Sequence, residues 1–201
     1  MGRKGWAGSP PRDDDDARKR IIDAALRCIE RRGPAQTSLA DVADELSITR
    51  RTVYRYFATT EELFTAAAEI AMDGFVTRIE KLTADIDDVA GQLVEVVAFI
   101  VERLPDEPLL TLLLENDRTN QFSRRMLSPS VIERCRIILR HSRIHWDDLG
   151  YRSDADLDEL IEFLLRIIQS MVIAPHEPPR NGAALRAFLH RWVGPALTAP
   201  R

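Results

Sequence analysis

Cysteine is almost missing from this chain: Cys28 and Cys135 are the two among 201 residues. That is too few for a disulfide framework, and reduced, packed thiols are expected. Long apolar runs are missing as well. The most apolar stretch, Val89 to Leu104, is interrupted by Glu95 and Glu102, so no membrane span is expected. The opening MGRKGWAGSPPRDDDD has no apolar core of the kind a signal peptide needs, and a cytoplasmic location is expected. No glycine-rich phosphate loop, nucleophile elbow or CxxC occurs, so no catalytic residue, cofactor or metal is assigned. His141 and His145 stand at i, i+4 near Asp147, the spacing by which one helix presents two metal ligands. Arg140 and Arg143 interleave them and spacing fixes no further ligand, so the pair is read as surface.

What is present is helical throughout. The chain is 45% hydrophobic and 30% charged, enough to bury a sizeable core. Its net charge of −4 is unevenly spread. Ala17 to Leu63 holds nine Lys/Arg against seven Asp/Glu, and the residues beyond hold sixteen against twenty-one. A local basic surface can therefore exist on an acidic chain. Residues 1–16, rich in Gly and Pro, read as a disordered tail, with Arg3, Lys4 and Arg12 opposed by four aspartates as a minor-groove arm.

Thr37 to Leu63 carries the strongest pattern. Leu39, Val42, Ala43 and Leu46 recur at i, i+3, i+4 and i+7, one face of a short helix. Ser38 with Asp41 makes a capping-box-like pair, and Leu46-Ser47-Ile48 makes a turn. Thr49 caps a second helix whose only apolar residues are Val53 and Phe57. Arg50, Arg51, Tyr54 and Arg55 are left facing outward, where a recognition helix meets base edges. Arginine forks two hydrogen bonds onto guanine, which makes Arg50 and Arg51 the base-reading candidates. The hydroxyls of Ser38, Thr52, Tyr56 and the Thr60 region suit phosphates, and Tyr54 suits either role. Before this unit, Ile22, Ala25, Leu26 and Ile29 stripe a first helix ended by Gly33-Pro34. After it, Thr59 and Glu62 form a second capping box opening a helix that continues towards Leu82.

Residues Ala17 to Phe64 resemble the DNA-binding domain of the tetracycline-repressor (TetR) family of bacterial regulators. The resemblance rests on Ile21-Ile22-Asp23-Ala24-Ala25, Gly33, Thr37-Ser38-Leu39, Asp41-Val42-Ala43, Thr49, Thr52 to Phe57, and Glu61-Glu62-Leu63. Three positions depart from the family pattern. Ser47 stands where Gly is frequent in the turn, Arg51 where a small residue is common, and Thr60 in place of a frequent phosphate-binding Lys. The expected DNA-facing set is Ser38, Thr49, Arg50, Arg51, Thr52, Tyr54, Arg55, Tyr56 and Thr60. The resemblance implies an all-α fold: a three-helix helix-turn-helix domain over 17–64, then a helical ligand-binding and dimerisation domain over 65–201.

Within 65–201, Val89, Leu93, Val97, Ile100 and Leu104 line one helix, and another runs from Val131 to end near Trp146. Ser153 with Asp156 caps a long helix to Ile173, and Asn181 caps the last. These two final helices carry more apolar residues than one inward stripe requires. Leu157, Leu160, Ile161, Leu164, Leu165 and Ile168, with Leu185, Phe188, Leu189 and Trp192, are therefore expected to form a twofold homodimer interface. The resemblance further implies a small-molecule effector, and an apolar one is expected. Phe99, Leu109, Leu113, Phe122, Met126, Trp146 and Met171 are its apolar lining candidates, and Asn116, Gln121 and Gln169 its polar ones. The leading expectation is a ligand-responsive repressor on inverted-repeat, double-stranded DNA. The alternative is an all-helical binding protein without sequence-specific operator recognition.

Overall fold

The computed structural model describes residues 5–107, 109–110 and 126–195. Leu113, Asn116, Gln121 and Phe122, assigned above to a pocket lining, lie outside the described residues. Among the described residues the regular structure is all helical: α1 (Asp14–Arg32), α2 (Leu39–Glu45), α3 (Arg50–Tyr56), α4 (Thr60–Thr83), α5 (Val89–Arg103), α6 (Pro129–His141), α7 (Asp154–Ile173) and α8 (Gly182–Trp192). Short 3-10 turns intervene. Contacts divide the chain into two compact units. The head includes residues to Val76 together with Glu107, Leu109 and Leu110; the body includes Thr77–Asp106 and the described residues from Met126 onward. The head thus extends past the 64/65 boundary read from the sequence.

Local capping sets the head's element starts. Asp13 is the N-cap of α1, its carboxylate accepting the Asp16 N–H at 2.7 Å. Asp14, Asp15 and Asp16 therefore form the first turn, where the helix dipole favours negative charge. Ser38 and Asp41 make a reciprocal capping box on α2, satisfying two otherwise orphaned N–H groups. Thr49 accepts the Thr52 N–H at 3.2 Å to open α3. At α4, Thr59 accepts the Glu62 N–H at 3.1 Å, but the Glu62 carboxylate returns to the Ala58 N–H, one residue earlier than a reciprocal box requires.

The head core consists of Ile21, Ala25 and Cys28 from α1, Val42 from α2, Val53 and Phe57 around α3, and Leu63 and Ala67 from α4. Ile48 packs against this core from the turn. Residues 5–12, read above as disordered, are tied to it. The Trp6 N–H donates to Leu46 O at 2.9 Å, Arg20 Nη1 donates to Ser9 O at 2.6 Å, and the half-buried Trp6 side chain packs on the core. A single large aromatic anchors a segment whose Gly and Pro content alone suggests disorder.

Ser47, in the turn between α2 and α3, has φ of +55°. The left-handed region costs an L-residue with a side chain about 1–2 kcal/mol. Ser47→Gly is accordingly expected to stabilise the head by about 1 kcal/mol, read as a rise in the urea midpoint at unchanged slope.

In the body, α5 packs against α7 and α8, and α6 packs against α7. Helix α6 stops at His141 rather than near Trp146. The chain then folds back, so that Trp146 Nε1 donates to Leu139 O at 2.7 Å and its ring meets Tyr151 edge-on at 5.7 Å. The indole joins the Ser142 N–H and hydroxyl on this carbonyl in the last turn of the helix.

Most of the residues expected at a twofold interface pack within the body itself. Leu157, Leu160, Ile161, Leu164, Leu165, Ile168, Leu185 and Leu189 are buried in the body's own core. On α7 those positions follow i, i+3, i+4, i+7, i+8 and i+11, which is a single stripe. The large apolar side chains left exposed on these two helices are Phe163, Ile173 and Trp192, at 40%, 43% and 66%. Phe188 is half-buried.

Candidate nucleic-acid interface

Helix α3 is seven residues long and buries one narrow stripe. Val53 and the capping Phe57 have no exposed surface, while Arg50, Arg51, Tyr54 and Arg55 are exposed. The 3.6-residue repeat requires this division once Val53 and Phe57 are inside. All four outward candidates from the sequence thus share the solvent side of one short helix.

Electrostatics separates Arg50 and Arg51 from the other arginines in the head. Arg27 and Arg31 both pair with Glu45, the former at 3.2 Å, and Arg32 pairs with Asp41 at 2.9 Å. Hydrogen bonds from Arg31 and Arg27 hold the Glu45 carboxyl below its ordinary range. The Ser38 hydroxyl and N–H, assisted by Arg32, do the same for Asp41. Arg18 donates to Tyr56 O at 2.9 Å and lies over the Phe57 ring at 4.2 Å. Arg50 and Arg51 have no ion-pair or hydrogen-bond partner among the described residues. The acidic groups of α2 serve the arginines of α1, and the start of α3 keeps its charge available.

Several hydroxyls in the expected set have local duties. Thr49 and Thr52 hydroxyls lie 2.8 Å apart, and Thr49 also caps α3. Ser38 caps α2. Thr60 is the half-buried first residue of α4. Arg55 and Tyr56 meet a residue that sequence reasoning missed. Asp14 Oδ1 accepts from Arg55 Nη2 at 2.9 Å and from the Tyr56 hydroxyl at 2.7 Å. The bond to Asp14 pushes the Tyr56 phenol above its ordinary pKa, because it favours the protonated form. Nothing local in the sequence signals this contact, since 41 residues separate Asp14 from Arg55.

The described members of the expected pocket lining lie as follows. Leu109 is buried with the head core, Trp146 is a body-core residue, and Met126 packs against that core. Phe99 and Gln169 are half-buried on α5 and α7. Met171 lines a cleft at the ends of α5 and α7. His141 ends α6 with Nδ1 2.7 Å from Ile137 O, whereas His145 lies beyond the helix. The two no longer share a helical face. No described helix is long and apolar enough to cross a membrane.

A reciprocally capped helix, a tight turn and a short second helix with free arginines at its start define a helix-turn-helix DNA-binding protein. Residues 21–67 match the family model described as bacterial regulatory proteins, tetR family. A helix-turn-helix transcriptional regulator of Mycobacterium tuberculosis is 24% identical over 182 residues, covering 90% of this chain and 86% of that protein. Among solved structures, the TetR-family repressor AlkX from a Dietzia species covers 94% of this chain and 97% of its own at 19% identity, with a TM-score of 0.60. RolR, solved with its ligand resorcinol, covers 88% and 94% at 18% identity, with a TM-score of 0.51. Residues 21–67 thus match the helix-turn-helix segment of the tetR family, and the chain as a whole shares the fold of TetR-family structures.

Proposed function

We propose that this regulator represses transcription by occupying an inverted-repeat operator as a homodimer, and that a small molecule bound in the body releases it. The observation that carries the operator reading is the free pair Arg50 and Arg51 at the exposed start of α3, beside α1 arginines that are already paired. Two such helices roughly 34 Å apart read two half-sites one DNA turn apart. The exposed Phe163, Ile173 and Trp192 supply apolar surface for a second copy to cover. Effector release requires that the ligand favour a spacing of the heads that no longer fits the operator. RolR, of similar fold, holds resorcinol, which supports a body able to enclose a small molecule.

Selection of bound duplexes from a random pool, at stated near-physiological salt, tests the reading. An inverted repeat held roughly 10³-fold or more above scrambled DNA is expected. Equal affinity for all duplexes would favour the all-helical binding protein without operator recognition. On the selected site, Arg50→Ala and Arg51→Ala are each expected to cost about 1–3 kcal/mol and to relax preference at particular bases. Uniform weakening on every sequence would reduce them to phosphate contacts.

Asp14 gives a second handle. Its carboxylate occupies Arg55 and Tyr56, the groups on α3 best placed to take a phosphate. Binding a phosphate there exchanges one anion for another. Asp14→Asn is expected to tighten binding to scrambled and selected DNA alike, by a few-fold, and to steepen the salt dependence by about one ion. An unchanged salt slope would show that Arg55 stays off the backbone.

A further inference from the structure

A cleft of about 850 Å³ in the body lies where the C-terminal ends of α5 and α7 meet the 174–181 connection and the start of α8. Its size is that of a small-molecule site. Val101, Ile167, Met171, Val172 and Phe188 supply the apolar surface. The charged and titratable groups lining it are Glu102, Arg103, His176 and Arg180. Glu102 is already engaged: it accepts the Gly182 N–H at 2.6 Å and pairs with Arg186 at 3.1 Å. His176 Nδ1 lies 3.0 Å from Pro178 O, a bond in which the ring N–H donates, leaving Nε2 uncommitted among the described residues. Arg180 lies over the Phe188 ring at 4.5 Å, so its guanidinium is fixed at the aromatic wall. Neither Arg103 nor Arg180 has a carboxylate partner among the described residues. The smaller hollow of about 320 Å³ near the start of α5 differs, because Asp87 and Asp148 face Arg143 and His145 there and charge of both signs is present.

We infer that the larger cleft is a binding site for an anionic amphipath, a carboxylate with an aliphatic or aromatic tail, its head group on Arg103 and Arg180 and its tail on the Met171–Phe188 wall. An apolar wall beside two guanidiniums without carboxylate partners selects against cations, and a neutral apolar molecule gains no charge-assisted bond there. Bidentate, charge-assisted bonds to a carboxylate are the strongest polar contacts arginine makes. This inference names the effector class of the proposed function and rests on that reading. It also moves the expected pocket, since Met171 alone of the described sequence-assigned lining residues borders this cleft.

Calorimetric titration of the full chain with dodecanoate, dodecan-1-ol and dodecyltrimethylammonium tests it in the absence of DNA. Saturable dodecanoate binding at one per chain is expected, roughly tenfold or more tighter than either other probe. Arg103→Gln with Arg180→Gln is expected to abolish that preference for the carboxylate. Met171→Gln, which keeps both arginines, is expected to weaken all tail binding while leaving the preference in place. Thermal melts of both variants identify a folding failure. Equal affinity for the alcohol, indifference to the arginine substitutions, or failure of dodecanoate to saturate would overturn the assignment. Loss of dodecanoate binding as the chain self-associates would give the cleft to a second copy and also overturn it. Operator binding measured in parallel separates the two proposals. Dodecanoate bound with the operator still held would keep this site and refute it as the effector site. Operator release by another compound, with no dodecanoate bound, would refute this site alone.

Discussion

Phe57→Ala is expected to cost the head about 3–5 kcal/mol and to abolish specific DNA binding. The ring has no exposed surface, closes α3 at its C-cap, and packs in the cluster containing Ile21, Val42, Val53 and Leu63. Arg18 covers its face at 4.2 Å, so truncation also strips a cation from its aromatic partner. A small helical unit has little stability to lose, and Val53 and Phe57 are the fully buried side chains that seat the recognition helix. Urea unfolding of the full chain, followed by circular dichroism, is expected to gain an early transition, with the body transition retained. DNA binding within tenfold of the unsubstituted chain would show that the head does not depend on this ring.

Arg186→Met is expected to have the second largest effect, now on the body. Its Nε donates to Glu95 at 2.6 Å and its Nη1 to Glu102 at 3.1 Å, joining α8 to α5 at two levels. The Glu95 bond, followed by Glu102, holds the guanidinium pKa above its ordinary value. Side-chain exposures of 30%, 17% and 24% for Arg186, Glu95 and Glu102 place the cluster partly out of water. Removing the arginine leaves two half-buried carboxylates facing each other, a situation that costs about 3–5 kcal/mol when fully buried. Residual solvent contact reduces this to about 2 kcal/mol, read as a melting temperature lower by several degrees. The triple variant with Glu95→Gln and Glu102→Gln is expected to recover much of the loss. An equally unstable triple variant would attribute the effect to the lost arginine stem instead.

The parts of this fold legible in the sequence are those fixed by residues a few positions apart. Both reciprocal capping boxes, Ser38 with Asp41 and Ser153 with Asp156, form as their spacing implies. The outward set on α3 follows from two apolar residues on a seven-residue helix. Long-range pairings were not legible. Leu109 enters the head core from far along the chain, and Asp14 reaches α3 across 41 residues. The apolar surplus of α7 is ambiguous in the sequence for a related reason. Periodicity identifies which side chains share a face, but it does not tell whether that face meets its own body or another copy. Leu157, Leu160 and Leu164 meet their own body, and Phe163 on the same helix faces solvent.

The bond from Trp6 to Leu46 gives the molecule an optical label. The chain has three tryptophans, and they occupy three environments. Trp146 is enclosed in the body at 3% exposure, Trp192 stands in solvent at 66%, and Trp6 rests half-buried against the turn that introduces α3. With Trp146 and Trp192 replaced by Phe, the remaining indole emission would report from beside the recognition helix. Fluorescence quenching or anisotropy could then follow the head's encounter with a duplex directly, without a dye attached to either molecule.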